Sequence, residues 1–252
     1  MGSIDKDEAE KYKAKRIEWQ KINREHCEKY DLGRKYDREK VRIGVQNDKE
    51  NDIIGIPDLI TDIAKKQKQS FSVHAQNFIN KNTQDFDFAF DENFIKPMAY
   101  SISKDKIIIN PKHTDLQYYN IDESIAHETA HLKDIRNNIS ENNFDLLKGY
   151  MEKTKRYFKN DMAYYGRIVA DNEFNSSLCD LVNIFTEGRV RNGGFAHNED
   201  YIKNELNCIR EISATLISCD LTDNKTVNNL VQNIKPLKEM KEEILKLWDV
   251  SK

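Results

Sequence analysis

Asn120-Ile-Asp-Glu-Ser-Ile-Ala-His-Glu-Thr-Ala-His-Leu-Lys-Asp134 is the stretch on which the reading of this chain turns. Asn120, with Glu123 three residues on, resembles a capping box, so a helix can begin here. Ile121, Ile125, Leu132 and Ile135 form an apolar stripe that would bury one side of that helix. His127 and His131 are four residues apart, so both imidazoles leave one face a turn apart. That spacing lets two ring nitrogens reach one Zn²⁺ at about 2.0–2.1 Å. Glu128 lies about 100° further round the helix, where it is a poor ligand but can hydrogen-bond a metal-activated water. The metal would lower the pKa of that water to about 7 and polarise a scissile carbonyl. Glu128, as general base, would take the proton and pass it to the leaving amine, help typically worth about 10²–10⁴-fold.

Two histidines leave such a site one ligand short. The longer pattern HExxHxxGxxH is absent, because Asp134 and Asn137 stand at its last two positions. Asp134 shares the face of His131, but three ligands from one straight helix strain the geometry, so it reads as a supporting or surface residue. A glutamate on a later helix is expected instead, and three compete. Glu173 follows Ala170-Asp171-Asn172. Glu187 sits in Phe185-Thr-Glu-Gly-Arg-Val190, which looks like the ligand helix of some gluzincin aminopeptidases, with Val190 in place of their small residue. Glu211 sits in an amphipathic segment with Ile209, Ile212 and Leu216 on its buried side, and Ala214 is small enough to let that helix approach the motif helix.

Upstream, residues 58–80 carry helical spacing at Leu59, Ile60, Ile63, Phe71, Val73 and Phe78. Phe86, Phe88 and Phe90 alternate with Asp85, Asp87 and Ala89, the period of a half-buried strand. Residues 100–103, Lys104-Asp105 and residues 106–110 read as a hairpin ending at Pro111. Its second strand holds Ile107, Ile108 and Ile109, and it could pair with an extended substrate backbone. Beyond Asn120 the signals are helical almost to the end, and residues 227–250 show helical spacing at Leu230, Ile234, Leu237, Ile244 and Trp248. The fold class is therefore α+β: mostly helical, with a small sheet before the motif helix. Residues 1–52, dense in Lys, Arg, Glu and Asp, read as a charged helical arm or linker, and residues 53–252 as one domain.

Composition narrows the function classes. A net charge of −3 and a pI near 6.1 argue against a general nucleic-acid binder. No apolar run is long enough to span a membrane. Met1-Gly2-Ser3-Ile4-Asp5-Lys6 lacks the apolar stretch of a signal peptide, so a cytoplasmic protein, or one delivered into a target cell, is expected. Cys27, Cys179, Cys208 and Cys219 have no CxxC spacing, which suits free buried thiols better than a disulfide framework.

The segments Cys179-Asp-Leu-Val-Asn-Ile-Phe-Thr-Glu-Gly-Arg-Val-Arg-Asn192, His197, Tyr201 and Arg210-Glu-Ile-Ser-Ala214 resemble the tail of zincin-like, gluzincin-type HExxH domains. Such domains occur in phage head-morphogenesis proteins and bacterial polymorphic toxins. The resemblance spans residues 107–218 and implies zinc held by His127, His131 and Glu211, with Glu128 as catalytic base. It ranks Glu187 and Glu173 behind Glu211. His197, in a loop after Gly193-Gly194-Phe195-Ala196, can stabilise an oxyanion there; Tyr164, Tyr165 and Tyr201 can serve likewise or simply pack. The implied activity is a zinc metalloendopeptidase acting on a protein or peptide substrate, as a toxin or effector or as part of a larger toxin or phage protein. The alternative is a non-catalytic phage or mobile-element protein on the same scaffold, and a third reading is a helical interaction protein with a fortuitous motif.

Overall fold

The computed structural model describes residues 72–113, 120–172, 175–189 and 203–250. The charged arm, Glu173, His197 and Tyr201 lie outside the described residues. At Ser72 the backbone is extended (φ −64°, ψ 128°) and the side chain accepts from the Ala75 N–H. That is an N-cap, so the helix expected over residues 58–80 does not run unbroken through Ser72: α1 is Val73–Asn82, and residues 58–71 lie outside the described residues. Ala75, Phe78 and Ile79 face the core, while Val73, counted as an apolar core position, is exposed.

A 3-10 turn at Asp85–Asp87 leads into β1 (Phe88–Phe90), β2 (Met98–Ser101) and β3 (Lys106–Ile109). The alternation expected from Phe86 fails at its first step. Phe86 is exposed, because Asp87 turns inward and accepts from Arg136 Nη2 at 2.7 Å. The hairpin forms, with Met98 opposite Ile109 and Ser101 opposite Lys106. Its first strand lies two residues earlier than the expected 100–103, and the turn takes residues 102–105 rather than Lys104-Asp105 alone. The sheet order is β1-β3-β2, with β1 parallel and β2 antiparallel to β3. This corrects the expectation for β3: paired on both sides, it cannot receive a substrate strand. The continuous Ile107-Ile108-Ile109 run, buried throughout, is what a strand covered on both faces requires.

Eight helices follow among the described residues: α2 (Ile121–Asn137), α3 (Ile139–Asn142), α4 (Phe144–Asn160), α5 (Met162–Asp171), α6 (Ser176–Phe185), α7 (Glu205–Leu221), α8 (Lys225–Asn233) and α9 (Lys235–Leu247). Together with the three-stranded sheet they make the α+β, mostly helical class read from the sequence. The motif helix starts where expected, but the capping box does not form. Asn120 makes no side-chain cap hydrogen bond, and the Glu123 carboxylate is taken by Ser177, Thr222 and Asn224. The other end of α2 closes on Asn138 at φ 51°, the left-handed conformation that asparagine tolerates at a helix end. The helical spacing over residues 227–250 resolves into two helices broken at Ile234 (φ −120°, ψ 97°), because Pro236 has no N–H to continue the ladder.

Residues 211–221 of α7 are buried without exception, so this helix is the axis of the fold. Around it stand α2, α4, α6, α8 and α9, with its most extensive contact against α2. Each fully buried Ile, Leu or Phe there contributes about 1.5–3 kcal/mol. Behind α2, fully buried Trp248 donates its indole N–H to the Ala130 carbonyl at 3.3 Å, and Lys133 Nζ bonds the Trp248 carbonyl at 2.6 Å. Among the described residues no helix is long and apolar enough to cross a membrane.

Candidate metal centre

His127 and His131 leave one face of α2, as their spacing predicts, with ring centroids 4.8 Å apart and planes at 73°. Their Nε2 atoms stand 3.1 Å from each other. Glu211 reaches them from α7: Oε2 lies 3.4 Å from His127 Nε2 and Oε1 lies 3.4 Å from His131 Nε2. Ligand atoms bonded at about 2.0–2.1 Å around a tetrahedral ion sit about 3.3 Å from one another. Each Glu211 oxygen stands at that spacing from one imidazole, and with one atom taken from each residue the three lie within 4.8 Å, so a small closure of the side chains would complete a site for one small divalent ion. The donor set also fits: two imidazole nitrogens and one carboxylate oxygen are a zinc set. Among the described residues, this is the group of metal-ligating side chains that converges.

The electrostatics agree with that chemistry. Burial alone would push the His131 imidazole below its usual pKa. The Glu211 carboxylate opposes this and prevails, with Glu128 and Asp134 adding to it, and the net value is raised to about 9. Without a metal the centre is thus held by an imidazolium–carboxylate pair, and a divalent cation would take the place of that proton.

Glu128 stands beside the trio, partly buried. Its Oε2 accepts the Tyr100 backbone N–H at 2.6 Å, which orients the carboxylate. Strand β2 supplies that donor from its outer edge. Asn110 N–H donates to the Pro97 carbonyl at 2.9 Å, and the alternation of an antiparallel ladder then turns the backbone of Met98 and Tyr100 outward. A polar clamp fixes the hairpin to α2. The Tyr100 hydroxyl donates to Asp105 Oδ1 at 2.7 Å, and Arg136 bridges Asp105 (Nη2–Oδ2 3.0 Å) and Asp87 (Nη2–Oδ1 2.7 Å). Burial, reinforced by Asp105, holds the Tyr100 phenol well above its usual pKa, and Arg136 holds the Asp105 carboxyl below its own.

The other sequence candidates divide. Glu187 stands apart from the trio, at φ 55° past the end of α6, with its carboxylate 3.8 Å from Lys159 Nζ and 3.0 Å from Arg189 Nη2. Tyr165 packs: its ring stacks on Phe158 with centroids 4.1 Å apart, and Tyr164 lies edge-on against it. Cys179, Cys208 and Cys219 are buried and stand outside any disulfide, as their scatter suggests. Asp134, read as supporting, is buried and bonded by Ser140. One contributor carries no sequence signal, the Tyr100 amide, since a backbone donor has no residue identity; Arg210 enters the sequence reading only as part of the segment around Glu211, with no role of its own. No family model matches the chain, and no curated protein or solved structure matches it.

Proposed function

We propose that the protein is a zinc-dependent metalloendopeptidase in which His127, His131 and Glu211 hold the metal and Glu128 is the general base. The observation that carries this reading is the convergence of the two Nε2 atoms and the Glu211 carboxylate from two separate helices, with a second carboxylate alongside them. A zinc ion held there supplies Lewis acidity towards a water and a peptide carbonyl. Glu128 then accepts the water proton on Oε1 and delivers it to the departing amine, while the Tyr100 N–H keeps its other oxygen in place. Among the described residues β2, rather than β3, is an edge strand, and an extended peptide can lie along its outward Met98 amide and carbonyl and Tyr100 carbonyl, the Tyr100 amide being held by Glu128. The resemblance to phage and toxin zincin-like domains makes a toxin or effector role the favoured setting.

Metal content of the purified protein, measured by mass spectrometry beside His131→Ala and Glu211→Ala, tests the reading. About one zinc per wild-type chain, lost in both variants, is the expected result. Absence of metal from the wild type, even after zinc addition and dialysis, overturns it. A second reading, a zinc-holding scaffold without hydrolysis, draws on the bond from Glu128 to β2, which a purely structural residue would also make. Glu128→Gln discriminates: it keeps zinc in both cases, and abolishes peptide cleavage only in the enzyme.

A further inference from the structure

The ligand set is split between two helices, so its geometry depends on how far α7 is displaced along α2. One residue of helical rise is about 1.5 Å, whereas metal–ligand distances tolerate only about 0.2 Å. Burial of apolar surface is non-directional and does not set a register that finely. A contact that acts at one fixed point of each helix is needed, and a buried ion pair lies a turn beyond His131. Asp134, 2% exposed, accepts the Ser140 N–H on Oδ1 and the Ser140 hydroxyl on Oδ2, both at 2.7 Å. The same Oδ2 forms an ion pair with Arg210 Nε at 3.5 Å, without a hydrogen bond between them, and Arg210 Nη2 donates to Glu141 Oε1 at 2.7 Å. Arg210 immediately precedes Glu211. Its guanidinium therefore ties the backbone next to the third ligand to α2 beside the second ligand, and to α3. A buried ion pair adds little net stability once desolvation is counted, and its best-attested use is to fix a register.

We propose that Asp134 and Arg210 are a positioning pair for the metal centre, fixing α7 on α2 and with it the reach of Glu211 to an ion held by His127 and His131. This rests on the zinc reading above. The full chain and its Asp134→Asn, Arg210→Gln, Arg210→Lys and Asp134→Asn/Arg210→Gln variants are titrated with zinc against a chromophoric chelator. The visible absorption of each Co²⁺-loaded protein is recorded, and far-UV circular dichroism of the metal-free forms reports folding. Positioning predicts that both neutralising single variants bind zinc about 10–100-fold more weakly, with altered cobalt bands that a loss of stability alone does not produce. Arg210→Lys, which keeps the charge, recovers part of the affinity, and the double variant is no worse than the weaker single, as for partners in one contact. Simple charge effects predict a different pattern, with weaker zinc in Asp134→Asn but tighter zinc in Arg210→Gln. That pattern, or affinities and cobalt spectra unchanged in both, overturns the positioning role alone. A wild type that binds no zinc overturns the metal reading with it.

Discussion

Glu123 and Asp134, two buried carboxylates on α2, flank the candidate metal ligands and are accommodated by opposite means. Glu123, 8% exposed, accepts from Thr222 Oγ1 at 3.2 Å, from Asn224 Nδ2 at 3.1 Å, and from Ser177 Oγ and Cys219 Sγ. All four donors are uncharged, and among the described residues no cation pairs with it. Asp134 has one hydroxyl, one backbone amide and the Arg210 cation. The first arrangement gathers the ends of four helices, since its donors sit at the start of α6, the end of α7 and the entry to α8. The second joins two helices at one point. A many-donor hub resists unfolding, whereas a single ion pair sets a register; the two ends of the same helix seam thus serve stability and geometry separately.

The largest expected effect breaks the first end. Glu123→Ala removes the acceptor of the half-buried Ser177 and Asn224 donors and of the buried Cys219 thiol, while the Thr222 hydroxyl keeps the Ser218 carbonyl at 2.9 Å. Each unsatisfied group costs about 1–3 kcal/mol. A total near 3–5 kcal/mol is expected, read from the urea midpoint of the metal-free protein. Zinc affinity of the fraction that remains folded should stay at the wild-type value. A Glu123 variant that keeps its stability and loses zinc would invert the comparison.

Between the two ends, the centre of the seam answers to pH when no metal is bound. The His131 value of about 9 lies above the 6.5 of an unperturbed histidine, so folding takes up a proton between those limits. The stabilisation is fully present below about pH 6.5 and is lost as the pH rises through about 9. It amounts to about 3 kcal/mol, from a rise of about 2.5 pH units. Urea midpoints in chelator at several pH values should fall across this window, and His131→Gln should flatten the slope. A wild-type profile already flat between these values would show that the imidazolium–carboxylate pair contributes nothing to the seam.

Much of this was legible from the sequence because it is local. The helix over α2, the two imidazoles on one face and the hairpin of β2 and β3 each follow from periodicity within a few residues. What escaped depends on distant partners. Glu123 looked like half of a capping box, but Thr222 and Asn224, about a hundred residues on, compete successfully for its carboxylate. The three isoleucines of β3 suggested an available strand, and only the parallel pairing with β1 makes it central. Phe86 continued an alternation that the Arg136–Asp87 contact cuts short. The break at Pro236 was available in the residues themselves; the apolar spacing on either side of it concealed the stop. Glu211 was separable from Glu187 only through the family resemblance, because both lie near helical apolar stripes and the difference is the direction in which each carboxylate leaves the core.

The smallest effect sharpens the second end, because Arg210 has two carboxylate partners in contrasting surroundings. Asp134 is almost wholly buried, while the Glu141 side chain is 51% exposed. An exposed ion pair is screened by solvent and is worth about 0–1 kcal/mol, even though the Arg210–Glu141 contact, at 2.7 Å, is the shorter of the two. Glu141→Gln should therefore lower stability by less than about 0.5 kcal/mol and leave zinc affinity and the cobalt spectrum as in the wild type. Raising the salt concentration should erase what difference remains. If Glu141→Gln weakened zinc binding as much as Asp134→Asn does, the register of α7 would be set from α3 at the surface, and burial of Asp134 would be incidental to the metal centre.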